Sequence, residues 1–166
     1  MKTAHILVHG LADGQAEAAY LKDYLIARGL DSHTIQIDNA RTQIAEIAQN
    51  YDDVVLIGVS GGGLILANLA REFENAKTRK KAMNCTLKKA IFVNTPIRFL
   101  SPLRLFGHLL RAIRTREFAP FRRHFLLACK SSRKISEIKC DTFVIQNDEH
   151  RTQTAELLLK EIVYTR

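Results

Sequence analysis

The chain has 166 residues, 46% apolar and 25% charged, which suffices for one domain, 1–166, with a real hydrophobic core and argues against disorder. No apolar run approaches the roughly 18 residues needed to cross a bilayer, and Met1-Lys2-Thr3 leads into a strand-like run with no signal-peptide core, so the expected location is the cytoplasm. The net charge of +8 hides an asymmetry: residues 77–134 carry sixteen of the twenty-five Lys/Arg and a single acid, Glu117, while the remainder is acidic.

In chain order, strand-like and helix-like segments alternate, which predicts a mostly parallel sheet flanked by helices. Residues 5–8 read as a buried strand ending at His9-Gly10, followed by a polar loop, Ala12-Asp13-Gly14-Gln15. Apolar spacing predicts a helix over 16–28, with Gly29 as its stop. A second strand is expected at 34–37 and a short helix around Ile44, Ile47 and Ala48. Val54-Val55-Leu56-Ile57 is the clearest strand, unbroken and β-branched. Then come a buried helix at 64–70, a solvated linker at 77–81 and a strand at 90–93. Helical patterns at about 101–117 and 121–130, a strand at 142–145 and a helix at 152–162 complete the chain. Cys85, Cys129 and Cys140 are odd in number and show no metal-ligand or CxxC spacing. Buried thiols are therefore expected rather than disulfides or zinc.

The run Gly58-Val59-Ser60-Gly61-Gly62 joins the clearest strand to a helix. A serine there must occupy a tight, strained turn, with glycines two before and two after it because neighbouring chains approach too closely for a Cβ. The turn lifts the hydroxyl above the sheet and aims a helix N-terminus at a developing oxyanion. A phosphate-binding loop also follows a strand, but neither the dinucleotide fingerprint nor the Walker lysine is present. A glycine-rich turn serving only close packing is the other alternative.

With this elbow, two further stretches resemble the α/β-hydrolase superfamily, nearest its serine esterase and lipase members of the monoacylglycerol-lipase and carboxylesterase branch. One is Ile6-Leu7-Val8-His9-Gly10-Leu11, and the other runs Cys140-Asp141-Thr142-Phe143-Val144-Ile145-Gln146-Asn147-Asp148. The resemblance spans nearly the whole chain and implies a three-layer α/β/α sandwich. It implies Ser60 as nucleophile, the backbone N–H groups of Leu11 and Gly61 as oxyanion hole, and Asp148 as catalytic acid. Glu149 is a rival acid, because the loop before Asp148 is short. The implied reaction cleaves a carboxylic ester or related acyl bond of a small-molecule substrate through an acyl-enzyme, with no metal or organic cofactor.

In that family the catalytic histidine follows one more strand beyond the acid. Here the chain stops at Arg166, so the last strand and the general base are expected to be missing. Of the six histidines, His9 belongs to the oxyanion turn, His5 to the first strand and His33 to the loop before the second. His108 and His124 fall on the basic helices, and His150, in the loop with Asp148, is the nearest substitute. The alternative expectation is a catalytically inactive or truncated protein of this fold that acts by binding. Residues 97–134 fall where the family places its helical cap. Leu103, Phe106, Leu110 and Ile113 share one helical stripe, and Arg104, His108 and Arg111 another. The cap reads either as a lid with a solvated basic side or as a surface for anionic lipid headgroups. No nucleic-acid motif accompanies the charge, and no nucleic-acid partner is expected.

Overall fold

Among the described residues, five strands form one sheet and all point the same way, so their carboxyl ends share one side. The computed structural model describes residues 1–10, 12–78, 85–95, 140–145 and 151–163. Within these, β1 (Thr3–His9), β2 (Ser32–Gln36), β3 (Asp53–Val59), β4 (Thr86–Val93) and β5 (Asp141–Ile145) pair in parallel in the order β2-β1-β3-β4-β5. Helices α1 (Ala12–Ile26), α2 (Ala40–Ala48), α3 (Gly63–Thr78) and α4 (Arg151–Val163) alternate with them. The result is the α/β/α layering that the alternating pattern predicts.

Burial explains why these segments read as they do. β1, β3 and the second half of β4 are covered on both faces, so they are near-continuous apolar runs. The outer strands β2 and β5 are only partly covered and carry polar residues. Alternate side chains of the inner strands serve different layers. Ile6, Val8 and Leu56 pack with Ile44 of α2 and with Leu66 and Phe73 of α3. Leu7 and Ile57 pack on the other face with Leu21 and Leu25 of α1 and Leu158 of α4. Gly29 ends α1 as expected, at φ 77°, with its N–H donated to Ile26 O and that of Leu30 donated to Leu25 O, which closes the helix with a left-handed cap.

Several boundaries differ from expectation, β2 at Ser32–Gln36 rather than 34–37 among them, and three bear on the site or the core. α1 starts at Ala12, so Ala12-Asp13-Gly14-Gln15 is its first turn rather than a loop; packing of that turn against Ser60 overrides the low helix propensity of glycine. β4 starts at Thr86, not at 90, because Lys89 is buried with its Nζ donating to Glu161 O at 2.6 Å. A lysine whose stem is packed and whose ammonium is bonded is compatible with an inner strand, though it breaks the apolar pattern. α3 continues to Thr78, through Lys77 at the start of the expected linker. The expected helices at 101–117 and 121–130, and with them the cap at 97–134, lie outside the described residues.

Candidate active site

The chain leaves β3 in extended geometry at Val59 (φ −101°, ψ 125°) and turns abruptly at Ser60, whose φ is 50°. A left-handed backbone costs a non-glycine residue about 1–2 kcal/mol, so the surroundings must enforce it. They do so sterically. A Cβ on Gly62 would lie 1.9 Å from Val8 O, and one on Gly58 would lie 2.5 Å from the Cα of Gly63. The glycines on either side of Ser60 therefore let β1, β3 and the start of α3 close on one another. One 3-10 turn, Ser60–Gly62, then feeds α3. The tight strand-to-helix turn expected from the sequence is present, and Gly61, the expected oxyanion donor, directly follows Ser60 in it.

Ser60 is half-buried and sits where the strand order reverses, β1 on one side of β3 and β4 on the other. Open parallel sheets bind ligands at this crevice outside the carboxyl ends. The first turn of α1 also reaches the site: a Cβ on Gly14 would lie 3.4 Å from Ser60 Cβ and 3.9 Å from its Oγ. The start of α1 thus approaches the same hydroxyl that the start of α3 carries. Both helix ends lend partial positive charge to that point.

Leu11, Asp148, Glu149 and His150 lie outside the described residues, as do His108 and His124. The three described histidines are all engaged elsewhere. His5 is 3% exposed, with Nδ1 3.0 Å from Asp31 O. Burial lowers its pKa, with His33 adding to that and the Asp31 carbonyl and carboxylate opposing it. His33 Nε2 lies 3.0 Å from the Tyr51 hydroxyl and 3.3 Å from the Asp31 carboxylate. His33 pairs with Ile6, and Ile6 with Leu56, which places it well short of the Ser60 end of the sheet. His9 stands at the right end but is buried, with Nδ1 3.1 Å from Gly10 O. Among the described residues, none hydrogen-bonds Ser60 Oγ.

Among the described residues, neither cysteine has the setting of a reactive thiol. Cys85 is buried, and burial with the nearby Glu74 carboxylate pushes the Cys140 thiol up to about 12, far from the depressed values of reactive thiols. Cys129 lies outside the described residues. Among the described residues no group of three His, Cys, Asp or Glu side chains converges as metal ligands would.

Two residues that sequence reasoning passed over stand beside the elbow. Asn94, just past β4, adopts φ 46°, and its Nδ2 donates to Glu17 Oε1 at 2.7 Å. Thr95 is buried and its Oγ1 donates to Gly58 O at 3.2 Å. The only signal in the sequence was a strand ending in Asn-Thr-Pro, which reads as a turn.

No protein-family model matches the chain, and no match is found among curated protein sequences. Solved structures do match. Human thioesterase 2 superposes with a TM-score of 0.57 at 9% identity, over 98% of this chain and 94% of that one. A protein of Agrobacterium vitis S4 named as a hydrolase gives 0.54 at 13% identity, over 96% and 86%. At such identities the likeness is one of fold, and the fold is of the α/β-hydrolase type.

Proposed function

We propose that this protein is a serine hydrolase that cleaves a carboxylic ester or related acyl bond, thioesters included, through an acyl-enzyme on Ser60. One observation carries the reading: a serine held at φ 50° between a buried parallel strand and a helix. Strain of this kind clusters at functional sites, and a serine between a strand and a helix is the context a nucleophile elbow needs. Two structural neighbours, one named a thioesterase and one a hydrolase, support it as a matter of fold.

In this reading Ser60 Oγ attacks the acyl carbonyl carbon, and the N–H groups of Gly61 and Leu11 stabilise the oxyanion. The alcohol or thiol leaves with a proton, and water then releases the acid from the serine ester. Asp148 orients the base that accepts the Ser60 proton, and His150 is the residue to test as that base. The basic stretch 97–134 leads us to propose further that substrate is met at an anionic lipid surface.

A fluorophosphonate probe tests the reaction class. Labelling of the wild-type protein that disappears in Ser60→Ala is the expected result. A folded protein that no probe labels overturns the reading in favour of a catalytically inactive α/β-hydrolase fold acting by binding. In a labelled protein, His150→Ala is expected to slow labelling at least 100-fold; an unchanged rate removes His150 from the mechanism.

A further inference from the structure

We propose that Thr95 is a positioning residue that holds the Ser60 elbow in its reactive geometry, an inference resting on the reading of Ser60 as nucleophile. The chain leaving β4 turns sharply at Asn94, and that turn carries the next side chain back beneath the end of β3. Thr95 is 1% exposed there. Its hydroxyl lies 3.2 Å from Gly58 O and 3.4 Å from Val93 O. Both carbonyls are within reach of the one hydroxyl proton, and the bond to Gly58 O ties Thr95 to the strand two residues before Ser60.

The same side chain also touches the other limb of the elbow. Gly63, three residues after Ser60, lies so close to Thr95 that a Cβ on it would stand 1.9 Å from Thr95 Oγ1 and 2.5 Å from its Cγ2. Thr95 therefore bonds the strand entering the turn and packs against the helix leaving it. The relative placement of those two limbs is what fixes the backbone of Ser60 between them.

The clamp is itself anchored. Asn94 donates its backbone N–H to Ile145 O at 2.8 Å, which ties the turn to β5. Its side-chain amide donates to Glu17 on α1, the helix whose first turn meets Ser60. Asparagine tolerates the left-handed backbone better than most residues, so the turn that aims Thr95 is suited to its sequence. Shape alone would be served by valine, which has the same branched outline. The positioning role belongs to the hydroxyl, and that separates it from simple core filling.

The test compares Thr95→Val, which keeps the outline and loses the hydroxyl, with Thr95→Ser, which keeps the hydroxyl. Fluorophosphonate labelling is followed at several probe concentrations, giving a limiting rate and a half-saturating concentration. Thr95→Val is expected to lower the limiting rate at least tenfold with the half-saturating concentration unchanged, and Thr95→Ser to stay within about threefold of wild type. Equal losses in both variants, or a wild-type rate in folded Thr95→Val, overturns the proposal.

A second readout does not depend on catalysis. In 15N-labelled protein, the amide resonances of Ser60, Gly61 and Gly62 are expected to move in Thr95→Val and return towards wild-type positions in Thr95→Ser. If the wild-type protein takes no probe, the reading of Ser60 as a nucleophile has failed, and these shifts still decide whether Thr95 sets the elbow. Unmoved resonances in Thr95→Val overturn the positioning role whatever the labelling shows.

Discussion

At the residue scale, the glycines around Ser60 differ in what they protect. Gly62 protects the fold: a methyl there would overlap Val8 O at 1.9 Å, which backbone cannot relieve without opening β1 from the elbow. Gly62→Ala is expected to lower the melting temperature by about 10 °C or more, the scale of a loss near 3 kcal/mol in a chain of this size. Gly14 protects access instead. Its nearest neighbours would lie 3.4–3.9 Å from a Cβ, ordinary contact distances, and it sits in a helix. Gly14→Ala is expected to leave the melting temperature unchanged or raise it by up to about 4 °C, since alanine gains up to about 1 kcal/mol over glycine in a helix. Yet the new methyl would fill space beside Ser60 Oγ that a probe would otherwise enter, and probe labelling is expected to slow about tenfold. Calorimetry with labelling kinetics checks both, and a Gly14→Ala protein labelled at the wild-type rate would mean that α1 does not border the reacting hydroxyl. The tight turn at Ser60 was legible because the spacing of Gly58 and Gly62 records close approach. Thr95, Asn94 and Gly14 were not, because their roles come from chain segments distant in sequence.

At the element scale, legibility follows burial. The inner strands announced themselves as apolar runs, while β4 was read short because Lys88 and Lys89 interrupt it. Lys88 is exposed, its ammonium 3.6 Å from the Asp53 carboxylate, and Lys89 is buried against Glu161 O and the Phe143 ring. Nothing in the one-dimensional pattern distinguishes those two lysines. β1 holds a second buried polar group, His5, and its effect on stability can be signed. Burial holds its pKa below the ordinary histidine value of 6.5, so the unfolded chain binds its proton more readily than the folded one. The stability associated with a neutral His5 is complete above that value and is lost as pH falls below it, at up to about 1.4 kcal/mol per pH unit until the folded pKa is reached. The melting temperature is thus expected to fall between pH 7 and pH 5. His5→Asn, which can still donate to Asp31 O without titrating, is expected to melt lower at pH 7 and show a shallower decline. A His5→Asn profile parallel to wild type would assign the decline to other groups.

At the scale of the whole molecule, the alternation of strands and helices fixed the fold class, but the strand order came into view only with the structure. That order, β2-β1-β3-β4-β5, is one that flavodoxin-like sheets also use. It places a topological switch point beside β3 without saying what binds there, and the proposal of acyl chemistry rests on the elbow, not on the topology. The charge distribution is a property of the same scale. Most of the positive charge is concentrated in 77–134, while the rest of the chain is acidic; Lys88 and Lys89 of β4 are engaged within the fold, so attraction to an anionic surface would come mainly from 97–134. Each basic residue near an anionic membrane contributes about 1 kcal/mol, and the effect decays over a Debye length of about 10 Å at 0.1 M salt and 3 Å at 1 M. Vesicles containing phosphatidylserine are therefore expected to sediment the protein at 0.05 M salt and release most of it at 0.5 M (concentrations chosen to be roughly on either side of that decay), whereas neutral vesicles leave it in the supernatant. Replacing Arg114, Arg116, Arg122 and Arg123 together by glutamine should weaken sedimentation without altering fluorophosphonate labelling in free solution, because in the proposed function the charge would gather the protein at a surface and take no part in the attack by Ser60. Sedimentation that ignores salt, or that is as strong on neutral vesicles, would mean that apolar contact rather than charge brings this protein to lipid.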